Sequence, residues 1–449
     1  MFSIIKKSQL EGANRLDAEY YQPEYLESAD RLDKFPRKTL SEIAQITDGN
    51  HLTIAEQFVN SGTRYLRGKD LQDFFISDSD PMYIPDKLFP KLKRSHILKK
   101  DVLISIVGTV GLISIVADDF ERLTGSCKVA ILHVKGINPW FLAGFLLSRY
   151  GQDQLQRKVA GAVQTGIILK DLSDLVVPIF SDEQQEKVRG LLEQSYAQKS
   201  DSESLYLESE KLLLQELGLT DFQNAEDLAF EVNFSDAKNA GRMDADYFQP
   251  KYARLQEKFF QHNGRKLGDM MIIKKGFEPG SEKYEEEGKL FIRVSSLSIQ
   301  GLEDKDQKYL NSDLYEKLKN EFEPKVGEIL LTKDATPGIA YVLKESVEGI
   351  ISGGILRLKP REDMEAEYIA LCINSIVGHS QVERDAGGSI IAHWRPEQVK
   401  ELLLPILPKP TQQKIADLVR KSHEARKKSK ELLEQAKRKV EEMIEKGGD

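Results

Sequence analysis

Chemistry at a site needs particular residue types at particular spacings, and this 449-residue chain offers few of them. The seven histidines show no metal-ligand spacing, and Cys127 and Cys372 stand apart from each other and from any histidine pair, so neither a zinc site nor a disulfide framework is expected. A phosphate-cradling loop needs four residues between its glycines and a Ser or Thr after the lysine. Here Gly62 to Gly68-Lys69 has five residues between and Asp70 after it. Asn138-Pro139-Trp140 lacks the second proline with which amino-methyltransferases grip a flipped base. No Gly-x-Ser-x-Gly elbow and no glycine-rich cofactor loop after a strand occurs. Carboxylate-x-lysine triplets such as Asp306-Gln307-Lys308 imitate a nuclease motif but arise by chance in a chain this charged. The reading is of a chain with no catalytic constellation.

What remains is suited to binding. Between Asp86 and Lys100 six basic residues (Lys87, Lys91, Lys93, Arg94, Lys99, Lys100) accompany one acidic residue, a local +5 within a chain of net charge −8. The acidic balance argues against coating nucleic acid by bulk attraction but leaves local basic surfaces open. A hydrophobic fraction of 40% is that of globular domains, two or three of them at this length. No run of about 18 apolar residues could cross a membrane. The opening MFSIIKKSQLEGANR is too short in its apolar part for a signal peptide, so a cytoplasmic location is expected.

The elements that carry these residues come in duplicate. RLDAEYYQPEY (Arg15 to Tyr25) returns as RMDADYFQPKY (Arg242 to Tyr252), with seven of eleven positions identical. The offset, 227, also carries Asp101-Val102-Leu103 to Glu328-Ile329-Leu330, Gly111 to Gly338, and Val177-Pro178-Ile179 to Leu404-Pro405-Ile406. A tandem duplication implies one fold used twice. Each half begins with short apolar runs punctuated by Gly and Pro, the mark of a mixed α/β domain. Each closes with 36 residues free of proline and rich in Glu, Lys, Gln and Leu, which predict long helices over Asp182 to Leu217 and Thr411 to Lys446. Ser181 with Gln184 fits a capping box, and Gly218 and Gly447 sit where helices stop. The expected order is a first α+β domain over 1–181, a helix over 182–217, a linker over 218–231, a second domain over 232–410 and a helix over 411–449.

Alternating three and four spacings trace a seam of Val188, Leu191, Ser195, Gln198, Ser202, Leu205, Ser209 and Leu212 on the first helix. The other seam is Ile415, Leu418, Ser422, Ala425, Ser429, Leu432 and Ala436. Small residues in the middle let two backbones approach closely. The first helix is acidic (nine acidic, four basic), the second basic (eleven basic, seven acidic), which favours each as the other's partner. An antiparallel coiled coil with pseudo-two-fold symmetry is expected, with the globular domains at its opposite ends. The alternative is that each helix packs only on its own domain.

A duplicated domain-plus-helix chain resembles the specificity (S) subunits of type I restriction-modification systems. LKKDVLISIVGTVG (Leu98 to Gly111) and PKVGEILLTKDATPG (Pro324 to Gly338) are similar to that family's Gly-Asp-Leu-Leu-x-x-x-x-Gly-Thr-x-Gly segment. The first departs by Lys at the initial Gly, the second by Glu for Asp and Ala for the later Gly. VVPIFSDEQQEKV and LLPILPKPTQQKI resemble the segment that joins a target-recognition domain to its helix, and ISGGILRLKP and DGNH fit as well.

The resemblance implies a non-catalytic reader of double-stranded DNA. Each target-recognition domain would read half of a bipartite site. The helices would set the spacing and dock two DNA adenine methyltransferase subunits, with two restriction (motor-nuclease) subunits joining for cleavage. S-adenosylmethionine, ATP and magnesium would then belong to those partners. Candidate DNA contacts are His51, Thr53, Arg67, Lys69, Lys93, Arg94 and Thr109 in the first half and Ser281, Lys283, Arg293, Ser295, Lys333 and Thr336 in the second, side chains that combine base-edge and phosphate chemistry near glycine-rich turns. The helix-pairing residues would be Val188, Leu191, Leu205 and Leu212 against Ile415, Leu418 and Leu432. A competing reading is a coiled-coil scaffold or adaptor with duplicated peptide-binding domains.

Overall fold

Short β-branched runs bounded by glycine or by acidic turns become strands in the computed structural model, which describes residues 4–7, 10, 15–72, 74–161, 165–222, 226–304, 307–361, 364–386 and 393–447. Asp306 of the carboxylate-x-lysine triplet and much of the opening segment lie outside the described residues. The chain divides into two compact units: Met1–Lys199 with Lys427–Asp449, and Ser200–Arg426.

In the first unit α1 (Pro23–Leu32) leads to β1 (Arg37–Thr39), β2 (Ala44–Asp48), β3 (Thr63–Leu66), β4 (Met82–Ile84), β5 (Val102–Ser105), β6 (Ile113–Ile115), β7 (Leu123–Gly125) and β8 (Val129–Val134). Helices α2 (Pro139–Leu147) and α3 (Arg149–Lys158), β9 (Val176–Pro178) and the long α4 (Asp182–Glu216) follow. A four-stranded sheet has the order β2-β8-β5-β6, a three-stranded sheet β4-β3-β7, and β1 pairs with β9. Strand β5 is buried along its whole length, as its unbroken apolar run requires. Helix α2 is apolar all round and lies within the core; Pro139 opens it and the Asn138 side chain accepts from the Trp140 and Phe141 amides at 3.0 and 3.4 Å.

The second unit holds α5 (Pro250–Gln261), β10 (Arg265–Lys266), β11 (Met271–Lys275), β12 (Lys289–Ile292), β13 (Lys308–Leu310), α6 (Ser312–Phe322), β14 (Ile329–Thr332), β15 (Ala340–Val342), β16 (Gly349–Ile351) and β17 (Ile355–Pro360). Then come α7 (Ala366–Asn374), α8 (Ile376–Ala386), β18 (Leu403–Leu404) and the long α9 (Lys409–Glu445). Its sheets run β11-β17-β14-β15, β13-β12-β16 and β10-β18, the orders of the first unit with every strand advanced by nine. The duplication read from the sequence is a duplication of topology, with α6 as an element of the second unit.

Both long helices form within two residues of their expected bounds. The Ser181 amide donates to Gln184 Oε1 at 3.1 Å and the Gln184 amide to Ser181 Oγ at 3.3 Å, a capping box. Gly218, at φ +62°, closes α4 while the Leu219 amide donates to Leu214 O at 2.8 Å. Each helix gives half its length to each unit, and within each unit the halves run antiparallel. In the first, Ser195 lies opposite Ser429, while Val188 and Leu192, earlier on α4, meet Val440, later on α9, around Gly144. In the second, Ser202 lies opposite Ser422.

The seam is tight because its serines donate across it. Ser195 Oγ donates to Ser429 O at 2.9 Å and Ser429 Oγ returns the bond to Ser195 O at 2.7 Å; Ser422 Oγ donates to Ser202 O at 2.7 Å. Hydroxyls reach a neighbouring helix's backbone only at close approach, which leucines would prevent. Of the expected pairing residues, Val188, Ile415 and Leu432 are buried, whereas Leu191, Leu205, Leu212 and Leu418 are half-buried. Leu192, Leu213, Val419 and Leu433 take the deep positions, because each half-helix covers a globular domain as well as its partner and so buries a wider stripe. Thus Leu433, Ala436, Val440, Met443 and Ile444 complete the first unit's core, and Leu213 and Leu217 complete the second's.

Candidate nucleic-acid interface

Register decides which loops share one end of a sheet. In the first unit Asp48 at the end of β2 pairs with Ala130 near the start of β8, and Val129 pairs with Ser105 at the end of β5. The loops Gly49–Thr53, Ile106–Leu112 and Ser126–Lys128 therefore emerge together. Strand β3 ends there too, since the Ser126 amide donates to Leu66 O at 2.8 Å, and Arg67 to Lys69 follow it. Sequence positions about 80 apart thus converge on one polar edge.

Close backbone contact builds this edge. A Cβ on Gly49 would stand 2.1 Å from Ser126 O, and one on Gly276, its counterpart, 2.1 Å from Ser352 O, so neither position accepts a side chain. The Asn50 amide donates to Gly125 O at 2.6 Å, and its side chain bonds both backbone groups of Leu52. His51 Nε2 lies 2.6 Å from Asp48 Oδ2, and Arg94 pairs with the other oxygen of that buried carboxylate. Asp48 thereby positions two candidate contacts, His51 and Arg94, side by side.

The Gly-Thr turns are built alike. Ser105 Oγ donates to Thr109 O at 2.6 Å and accepts from the Leu112 amide at 2.9 Å. At offset 227 Thr332 Oγ1 donates to Thr336 O at 2.5 Å and accepts from the Ile339 amide at 2.9 Å. Thr109 and Thr336 are exposed at the tips, their side chains unused by the turn itself. The acid of the same motif is engaged inside the domain. Asp101 accepts from the Leu98 amide at 2.7 Å and meets His133, and Glu328 accepts from Lys325 N at 2.9 Å and takes Arg357 in a bidentate pair.

The second unit differs at its turn. Lys333 Nζ donates to Asp334 Oδ2 at 2.5 Å, and His393 Nδ1 lies 2.9 Å from Asp334 Oδ1. Burial acts to raise the Asp334 carboxyl, but Lys333 and His393 outweigh it and hold the group below its ordinary value. Ser281, Lys283 and Ser295 are exposed and Arg293 half-buried, the last two following β12 as Arg67 follows β3. Thr53 and Lys93 are exposed in the first unit. Arg67 and Lys69 are drawn into ion pairs, Arg67 with Asp70 at 2.7 Å and Asp80 at 3.1 Å, Lys69 with Asp80 at 2.9 Å.

Sequence reasoning passed over four residues here: the bracing hydroxyls of Ser105 and Thr332, the carboxylate of Asp48, and exposed Lys128 beside Ser126. The hydroxyls had a signal, because both recur at the common offset. Lys128 had none, since only the pairing of β8 brings it to the edge. Among the described residues no group of three or more His, Cys, Asp and Glu side chains is placed to hold a metal ion, and no helix is long and apolar enough to cross a membrane.

Comparison with known proteins adds to this geometry. Residues 263–437 match the family model of the type I restriction modification DNA specificity domain. The chain is 29% identical over 140 residues to the type I restriction enzyme EcoBI specificity subunit of Escherichia coli, a match covering 31% of this chain and 30% of that subunit. Among solved structures it is similar to the S subunit of a type I restriction-modification system from M. genitalium (13% identity, 92% of this chain and 95% of that one, TM-score 0.43). The HsdS subunit from Thermoanaerobacter tengcongensis is also similar (16% identity, 92% and 97%, TM-score 0.32). Over residues 263–437 the chain thus matches the type I restriction modification DNA specificity domain, and it is similar to specificity subunits of type I restriction-modification systems.

Proposed function

We propose that this chain is the non-catalytic DNA-recognition subunit of a type I restriction-modification complex, acting in the cytoplasm. The observation that carries the reading is the specificity-domain match over residues 263–437, joined to the recurrence of that domain's strand order in the first unit. One recognition surface used twice suits a target in two halves. In each unit the polar edge meets the duplex: exposed turn backbone and Lys or Arg side chains at phosphates, and His51, Thr53, Thr109 and Arg94, or Ser281, Lys283, Arg293, Ser295, Lys333 and Thr336, at base edges or the adjacent backbone. The loops of the two edges differ in sequence, so the two half-sites differ. Helices α4 and α9 hold the spacing and dock two adenine methyltransferase subunits, which two restriction subunits join. S-adenosylmethionine, ATP and magnesium act in those partners.

The test is methylation-site sequencing of the chain reconstituted with its methyltransferase. A two-part target is expected, and His51→Ala with Thr53→Ala should relax letters in one half alone. An undivided target, or letters unchanged by loop substitutions in either unit, would overturn the reading.

A further inference from the structure

Segment Asp86–Lys100 and its counterpart at offset 227, Asp313–Gly327, occupy the same place in the two units, between β4 and β5 and between β13 and β14. The first carries six basic residues and one acidic. The second carries three basic (Lys317, Lys319, Lys325) and four acidic (Asp313, Glu316, Glu321, Glu323). One fold position thus bears +5 in one repeat and −1 in the other.

The position of these charges matters as much as their number. Ser95 Oγ lies 2.8 Å from Thr124 Oγ1, His96 bridges to Thr124, and Arg94 pairs with Asp48, so Lys91, Lys93 and Arg94 run beside the edge that Lys128 also joins. Lys91, Lys93 and Lys128 are exposed, and no ion pair among the described residues engages them. The nearby acids are already engaged: Asp48 holds His51 and Arg94, and Asp86 holds Arg122 at 2.9 Å and the Thr63 hydroxyl at 2.8 Å. Lys99 and Lys100 precede β5 and so lie at the sheet's other end, Lys99 paired with Asp119 at 2.6 Å.

The second unit cancels its own charge. Lys319 pairs with Glu316 at 2.6 Å and Lys325 with Glu323, while α6 folds the segment into a helix whose Glu321 carbonyl takes Arg357. At its edge Glu278, Glu282 and Asp334 stand against Lys275, Lys283, Arg293 and Lys333, three acidic residues against four basic, and Lys333 is itself paired with Asp334.

We propose that the two units hold DNA unequally. The first supplies most of the salt-dependent grip on phosphates through Lys91, Lys93 and Lys128 beside Arg94, and the second engages the duplex with little net charge, its Lys283, Arg293 and Lys333 balanced by Glu278, Glu282 and Asp334. The inference rests on the DNA-recognition reading above. Each phosphate neutralised adds about 0.9 to the slope of log affinity against log salt. Losing three such contacts lowers that slope by about 2 to 3, so raising salt from 50 to 200 mM would cost the wild type roughly 30-fold more affinity than the variant.

The experiment is a fluorescence-anisotropy titration of the full chain with a 30-base-pair duplex of arbitrary sequence, in potassium chloride from about 20 to 200 mM, where non-specific binding near the micromolar range is readable. Lys91→Gln/Lys93→Gln/Lys128→Gln should lower the slope by about 2 to 3. Lys99→Gln/Lys100→Gln and Lys274→Gln/Lys275→Gln/Lys317→Gln should each lower it by less than about 1. Circular dichroism confirms that these surface variants fold. Equal losses from the three variants, or an unchanged slope in the first while the wild type binds, overturn the inference and leave DNA recognition standing. A wild type that ignores the duplex even at the lowest salt also overturns the inference, because the grip assigned to this chain's own lysines is then absent, whereas DNA recognition is judged separately on the chain reconstituted with its methyltransferase.

Discussion

At Ala335 the backbone turns through φ +60°, where an L side chain is strained by roughly 1–2 kcal/mol, while the counterpart Gly108 makes the same turn at φ +83° without a Cβ. Ala335→Gly should therefore stabilise the second unit by about 0.5–1 kcal/mol, and Gly108→Ala should destabilise the first by about 1 kcal/mol. Nothing lies within 4 Å of a Cβ built on Gly108, so urea midpoints of the two variants read the backbone alone. A second residue-scale prediction concerns His423, which faces Tyr341 and leaves Nδ1 buried without a partner. Burial, then Lys344, drive this imidazole down to about 4, with the Ile299 carbonyl and Glu367 opposing. Its folded value lies below the unfolded value of about 6.5, so the unfolded chain takes up a proton first. Stability is whole above about pH 6.5 and is lost as pH falls from there toward 4, by about 2 kcal/mol between pH 7 and pH 5. Urea unfolding at the two pH values should show this loss, and His423→Leu should remove most of it.

Elements are held by the serine seam of α4 and α9. The duplication maps Ser195 onto Ser422 and Ser202 onto Ser429, so the two cross-helix pairs are one contact made twice with the partners exchanged. Ser195→Ala keeps the close approach and removes one donor, a loss of about 1 kcal/mol. Ser195→Leu forces the backbones apart and should cost about 3 kcal/mol. Thermal unfolding of both variants distinguishes a seam made by small size from one made by hydrogen bonds. Equal losses would mean that the hydroxyl, rather than the space, sets the pairing.

For the whole molecule, the spacer role proposed for α4 and α9 makes a prediction about DNA. The chain passes from one unit to the other within these helices, between Lys199 and Ser200 and between Arg426 and Lys427. Seven residues inserted at both places keep each serine pair in register and lengthen each helix by about 10 Å, three base pairs' worth at roughly 3.4 Å each. Methylation-site sequencing should find the gap between half-sites longer by one to three base pairs and every half-site letter unchanged. An unaltered gap would mean that these helices do not measure DNA.

Much of the architecture was legible in the sequence because it is local or repeated. The 36-residue helices announce themselves by composition and by Ser181, Gln184 and Gly218 at their ends, interactions that reach no further than five residues. The repeat at 227 implied one topology used twice, and the strand orders agree. The small residues of the seam predicted a close antiparallel pair, and Ser195 meets Ser429. What the sequence could not specify depends on contacts between distant positions. That Leu192, Leu213 and Leu433 rather than Leu191, Leu212 and Leu418 lie deepest follows from each half-helix covering a domain as well as its partner. The placing of His51 and Arg94 on one buried Asp48, the pairing of Arg67 with Asp70 and of exposed Lys69 with Asp80, and the presence of Lys128 at the same edge follow from strand register, which fixes the loops that share a sheet's end. Spacing along a chain determines elements; only the pairing of remote strands decides which side chains a ligand would meet together.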